Sequence, residues 1–144
     1  MKKINNITII GSGNVGTEFG KKLFQAKFTI DGIYGYRLES GKSLAKETSS
    51  KFFSNKKDIP KNSDLYLIAL KDDLYIETLK DINLQGKLII HTSGSLDSND
   101  LNVFSNRWGC IYPLQSISKN QKVNWNSFKS CLLYTSDAAD EGSS

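Results

Sequence analysis

The stretch ITIIGSGNVGTEFG, Ile7 to Gly20, constrains this chain more than any other, because it reads as a buried strand that runs straight into a glycine loop and then a helix. Each glycine then has its own physical task. Gly11 turns tightly off the strand, Gly13 lets the backbone approach a bound group with no Cβ in the way, and Gly16 lets the new helix pack closely on the strand. The start of that helix presents free N–H groups and the positive end of a dipole, an anion site that requires no lysine. The pyrophosphate of a dinucleotide fits this arrangement, with Ser12, Asn14 and Val15 completing the cofactor-binding loop. Glycines at this spacing also occur in ordinary turns, so the flanking strand and helix are what give the motif its weight.

Beyond the loop, strand and helix periods alternate, which is the pattern of a parallel sheet with crossover helices. The spacing predicts strands over Ile4 to Ile10, Phe28 to Tyr34, Phe52–Phe53, Leu65 to Leu70, Lys87 to His91 and Trp108 to Tyr112. Helices are expected over about Asn14 to Ala26, Ser40 to Thr48 and Leu74 to Leu79, with a short helical piece around Asn99 to Phe104. In the first helix Val15, Phe19, Leu23 and Phe24 form the expected sheet-facing stripe. The uninterrupted LYLIAL of Leu65 to Leu70 marks a central strand covered on both faces. Right-handed crossovers then give an α/β fold, a doubly wound parallel sheet in the order 3-2-1-4-5-6. Ligands of such sheets sit beyond the carboxyl ends of the strands, which gathers Gly11 to Gly16, Tyr36–Arg37, Lys71–Asp72 and His91 to Ser95 around one crevice.

The end of the second strand discriminates between dinucleotides, since an acidic residue there suits a ribose 2′-hydroxyl and an arginine suits a 2′-phosphate. Here it reads IYGYRLESGKS, Ile33 to Ser43. Asp31 falls too early, inside the strand. Arg37, with Ser40 and Lys42 as further donors, favours NADP over NAD; its alternative is an exposed surface arginine. The GKS of Gly41 to Ser43 is not a P-loop, because the position where that motif requires its first glycine is Tyr36.

A length of 144 residues fits one domain, and 38% hydrophobic with 24% charged residues describes a globular chain. No apolar run approaches the roughly 20 residues of a membrane helix, and MKKINNITII lacks the apolar core and cleavage site of a signal peptide. The expectation is a cytoplasmic protein without membrane association. Cys110, Cys131 and the single His91 form no metal-ligand pattern, so no metal is expected. The terminal CLLYTSDAADE, Cys131 to Glu141, resembles the translation of a transposase sequencing adapter, which predicts that the natural domain spans residues 1–130 and that 131–144 is a non-native tail. Setting aside that tail's Asp137, Asp140 and Glu141 raises the formal charge from +4 to +7. The lysines nevertheless sit in scattered pairs, Lys2–Lys3, Lys21–Lys22 and Lys56–Lys57, which reads as solvated surface rather than as a nucleic-acid stripe.

Two downstream segments are more specific: IIHTSGSLDSNDL, Ile89 to Leu101, and WGCIYPLQSIS, Trp108 to Ser118. With IIGSGNVG and LYLIALKDD they resemble the Rossmann-like proteins that carry a DUF2520 domain, relatives of pyrroline-5-carboxylate reductases, β-hydroxyacid dehydrogenases and F420-dependent NADP oxidoreductases. The resemblance covers Ile4 to about Ser130. It implies an NADP-binding Rossmann domain that is followed, in full-length members, by a helical C-terminal domain closing over the cofactor. This chain departs from that plan by lacking the second domain, which predicts a truncated gene product and leaves homodimerisation of the full-length protein and half of any substrate pocket open.

The HTSGS loop brings hydroxyls on Thr92, Ser93 and Ser95, a flexible Gly94 and the His91 imidazole, groups that suit a nicotinamide carboxamide or a polar substrate. His91 is either a general acid for reduction of a carbonyl or imine, or a strand-end histidine hydrogen-bonded to backbone. Ala69, Leu70 and Lys71, leaving the central strand, join the cofactor-binding set, although Lys71 is equally readable as solvated. Pro113 and Gln115 either fix a loop beside the nicotinamide or belong to a buried structural loop. Two functions follow: an NADP-dependent oxidoreductase moving hydride to or from a small C=O or C=N substrate, or a non-catalytic dinucleotide-binding module.

Overall fold

Local pattern becomes architecture most directly at the apolar run after Asp64, where Leu65, Tyr66, Leu67 and Ile68 are all buried and form a strand with both faces covered. The computed structural model of the chain describes residues 4–92, 103–105 and 107–110. Six strands make one sheet: β1 (Asn6–Ile10), β2 (Thr29–Tyr34), β3 (Phe52–Phe53), β4 (Leu65–Ile68), β5 (Leu88–His91) and β6 (Arg107–Cys110). Their order is β3-β2-β1-β4-β5-β6 and every pairing is parallel, the doubly wound α/β arrangement that the alternating periods imply. The helices are α1 (Asn14–Gln25), α2 (Leu38–Glu47) and the short α3 (Tyr75–Leu79), with 3₁₀ turns at Lys56–Asp58 and Asp72–Leu74.

The two faces of the sheet carry separate cores. On one, Phe19 and Leu23 of α1 and Leu44 and Ala45 of α2 pack on Ile7, Ile9, Leu65, Leu67 and Ile90. On the other, Tyr75 and Leu79 of α3 pack on Ile10, Tyr34, Tyr66, Ile68 and Ile89. Phe24 departs from the expected stripe and is 37% exposed. Phe19 and Leu23 lie a turn apart on one face, whereas Phe24 is carried about 100° further round and off the sheet. Val15 is only half-buried, packing at the margin of the first core.

Boundaries also shift where the chain has other work to do. The central strand ends at Ile68 rather than Leu70; Ala69 still donates its N–H to the Ile10 carbonyl, and Ala69 and Leu70 line the crevice beyond the paired strand. α2 starts at Leu38, two residues before Ser40, with Arg37 at its N-cap. The helix expected from Leu74 opens as a 3₁₀ turn and becomes α-helical only at Tyr75. Register between β1 and β2 slips once: Ile7 faces Ile30 but Thr8 faces Gly32, so Asp31 is an extra, bulged residue. The bulge aims its carboxylate at Ser63, whose Oγ donates to Oδ2 at 2.6 Å and pairs with the fully buried Thr8 hydroxyl at 2.6 Å. Asp31 is therefore committed to structure, as its early position in the strand implies. The expected helical piece at Asn99 to Phe104 falls mostly outside the described residues, and the tail from Cys131, the YPLQS segment, Ser93 and Gly94 lie outside them altogether.

Candidate functional site

The glycine loop is built by close approach. Gly11 adopts φ +114°, and a Cβ there would stand 2.2 Å from the Ala69 carbonyl oxygen; a Cβ on Gly16 would stand 1.9 Å from the Gly11 carbonyl oxygen. Neither position admits a side chain, so strand end, loop and helix pack backbone to backbone. Gly13 differs. Its φ is −75° and nothing lies within 4 Å of where its Cβ would be, so the residue borders open space. Gly13 is also the N-cap of α1, where no side chain caps the helix and no acidic residue occupies the first turn. The first-turn N–H groups are thus left for an anion, and the positive end of the dipole has no internal carboxylate to offset it.

These features open onto a crevice of about 410 Å³ at the carboxyl ends of the strands, within the range of small-molecule sites. Gly11, Ser12, Gly13, Asn14 and Val15 line it from the loop after β1, Tyr36 and Arg37 from the end of β2, Ala69, Leu70, Lys71 and Asp72 from the end of β4, and Thr92 from the end of β5. Four stretches far apart in sequence converge here, as the topology requires. Gly16 supports the loop from behind and does not line the crevice. Leu74, assigned on sequence to a helix start, is an additional lining residue; its half-buried position at the end of the 3₁₀ turn carries no motif that would mark it.

Two hydrogen-bonded devices hold the rim. Tyr36, 53% exposed, reaches α3 through a 2.5 Å bond between its hydroxyl and that of Thr78. At the other end the buried Tyr75 hydroxyl donates to the Ile68 carbonyl at 2.8 Å and accepts from the Thr92 N–H at 3.4 Å, and the Thr92 hydroxyl reaches the same carbonyl. Burial pushes the Tyr75 phenol above its ordinary range, so it stays protonated and able to donate. His91 does not line the crevice: it is 2% exposed and packs edge-on to Tyr75, ring centroids 6.2 Å apart. Burial holds its imidazole below the ordinary value while nearby Asp72 pulls the other way. Arg37, Lys71 and Asp72, exposed at the margin, supply two cations and one anion.

A parallel 3-2-1-4-5-6 sheet with an uncapped helix N-terminus at its switch point defines a dinucleotide-binding α/β domain. The sequence model of the NADP oxidoreductases described as coenzyme F420-dependent matches residues 6–94, and the chain belongs to that family. Among solved structures it is similar to a Bacteroides fragilis protein described as a candidate NADP oxidoreductase, at 30% identity and TM-score 0.73, over 84% of this chain and 48% of that one. An imine reductase variant from Myxococcus stipitatus in complex with NAD+ aligns at 25% identity and TM-score 0.57, over 66% of this chain and 33% of that one. A 1-pyrroline-5-carboxylate reductase from Streptococcus pyogenes shares the fold at 22% identity and TM-score 0.54, over 69% of this chain and 38% of that one. The chain therefore spans half or less of the length of these relatives. None of the curated proteins compared matches it. Among the described residues, no helix is long and apolar enough to cross a membrane.

Proposed function

We propose that the crevice binds NADP in preference to NAD and that the protein moves hydride between the nicotinamide and a small C=O or C=N substrate. The observation that carries this reading is one continuous lining in which the uncapped N-terminus of α1, the open space beside Gly13 and the guanidinium-bearing Arg37 follow one another. The first two suit a pyrophosphate and the third a 2′-phosphate, which an arginine grips with paired, charge-assisted hydrogen bonds. Bound nicotinamide supplies the hydride. The chain's own residues orient it: Ala69 and Leu70 offer apolar wall, and Thr92, held by Tyr75 and the Ile68 carbonyl, lines the crevice from the end of β5. The named activity of the Myxococcus relative supports a C=N substrate. Burial of His91 outside the crevice favours the second reading, a dinucleotide-binding module without an acid–base group of its own.

Calorimetric titration with NADP and NAD at one fixed salt concentration tests the cofactor, and equal or tighter NAD binding overturns the preference. Loss of reduced-nicotinamide absorbance with a panel of small ketones and cyclic imines tests the chemistry. Binding without turnover across that panel favours the module.

A further inference from the structure

Resting on the dinucleotide reading above, we infer that Thr78 is a positioning residue for the adenine end of the crevice: its hydrogen bond to the Tyr36 hydroxyl holds the Tyr36 ring as the wall on which the base stacks. An exposed tyrosine in a loop has two free side-chain torsions and would ordinarily sweep a wide arc. Tyr36 is restrained at its hydroxyl and against its ring instead. Its hydroxyl meets the Thr78 hydroxyl at 2.5 Å, 42 residues away in sequence, and Tyr34 packs against the ring in a T-shaped contact with centroids 5.8 Å apart and planes at 73°.

The anchor is itself secured. Thr78 is fully buried, and although α3 has only five residues, Lys56 holds the segment around it by donating to the Glu77 carbonyl at 3.1 Å and to Asp81 Oδ2 at 3.0 Å. A line of hydrogen bonds therefore ties the loop after β2, α3 and the 3₁₀ turn at Lys56 into one rigid edge. What that edge presents to the crevice is an aromatic surface, with Arg37 the next residue along the chain. Base and 2′-phosphate are separated by a single ribose, so an aromatic wall followed at once by an arginine matches a 2′-phosphoadenosine. Fixing the ring before the ligand arrives removes the cost of ordering it on binding.

Affinities of 2′,5′-ADP, which carries the adenine, and of nicotinamide mononucleotide, which does not, separate this role from a general structural one. Thr78→Val, which keeps the shape and loses the hydroxyl, weakens 2′,5′-ADP about three- to tenfold. It leaves nicotinamide mononucleotide unchanged, and Thr78→Ser restores the wild-type value. Tyr36→Phe breaks the same bond from the exposed side and reproduces the effect even where a buried change impairs folding. Unchanged 2′,5′-ADP affinity in both Thr78→Val and Tyr36→Phe, or an equal loss for the two fragments, overturns the inference. A wild-type protein that binds no 2′,5′-ADP overturns the dinucleotide reading itself.

Discussion

At the scale of single residues, Gly13 and Arg37 carry the clearest expectations, because each faces the crevice while making little contribution to the folded core. Gly13→Val places a branched side chain in space that is open in the structure, with backbone angles any residue adopts. The variant should melt with the wild type and lose dinucleotide binding, which paired thermal and calorimetric measurements check. Arg37→Ala removes a guanidinium that NADP meets with a phosphate and NAD with a neutral hydroxyl. Charge-assisted bonds of this kind contribute roughly 1.5–3 kcal/mol, so NADP affinity should fall about ten- to a hundredfold while NAD affinity stays nearly constant. Glu39 two residues on is the reason to measure both: in the first turn of α2 it carries a carboxylate able to accept from a ribose hydroxyl in the arginine's place. These residues were legible in the sequence because their chemistry follows from type and position alone. Thr78 and Leu74 were not, since a buried threonine and a half-buried leucine acquire meaning only from what the fold sets beside them.

At the scale of elements, the glycine loop separates two kinds of glycine requirement two residues apart. Gly11→Ala forces a Cβ into the Ala69 carbonyl at a positive φ and should cost at least about 2 kcal/mol of stability. Gly13→Ala should lie within about 0.5 kcal/mol of wild type, or be slightly stabilising through the unfolded chain. Urea denaturation of the two variants distinguishes them. Strand and helix identities followed from periodicity, and the boundaries that moved did so for physical reasons that periodicity does not encode. β4 stops early because Ala69 and Leu70 turn toward the crevice, and the extra residue at Asp31 is invisible in an alternating pattern until Thr8 and Ser63 show what its carboxylate reaches. Phe24 was misplaced because it adjoins a genuine stripe residue, and adjacency on a helix is a 100° rotation.

At the scale of the whole molecule, the strand order was legible because right-handed crossovers leave few alternatives once the elements alternate. The pH response of the molecule was not, because it depends on how deeply one imidazole is buried. The folded state keeps His91 below its ordinary value near 6.5, so as pH falls the unfolded chain takes up that proton first. This contribution to stability is fully present above about pH 6.5 and is lost as pH drops through the lower, folded value. Urea midpoints should therefore decline as pH is lowered below about 6.5, and His91→Gln should flatten that slope.

The shortness of β3 has a consequence of a different kind. It forms one margin of the sheet with two residues, Phe52 and Phe53, next to a β2 that is six residues long. A margin that brief offers an approaching strand from another molecule almost no ladder to extend, and after Ser54 and Asn55 the chain enters a 3₁₀ turn that opens with two lysines. On this side, among the described residues, length rather than a covering element guards against edge-to-edge polymerisation.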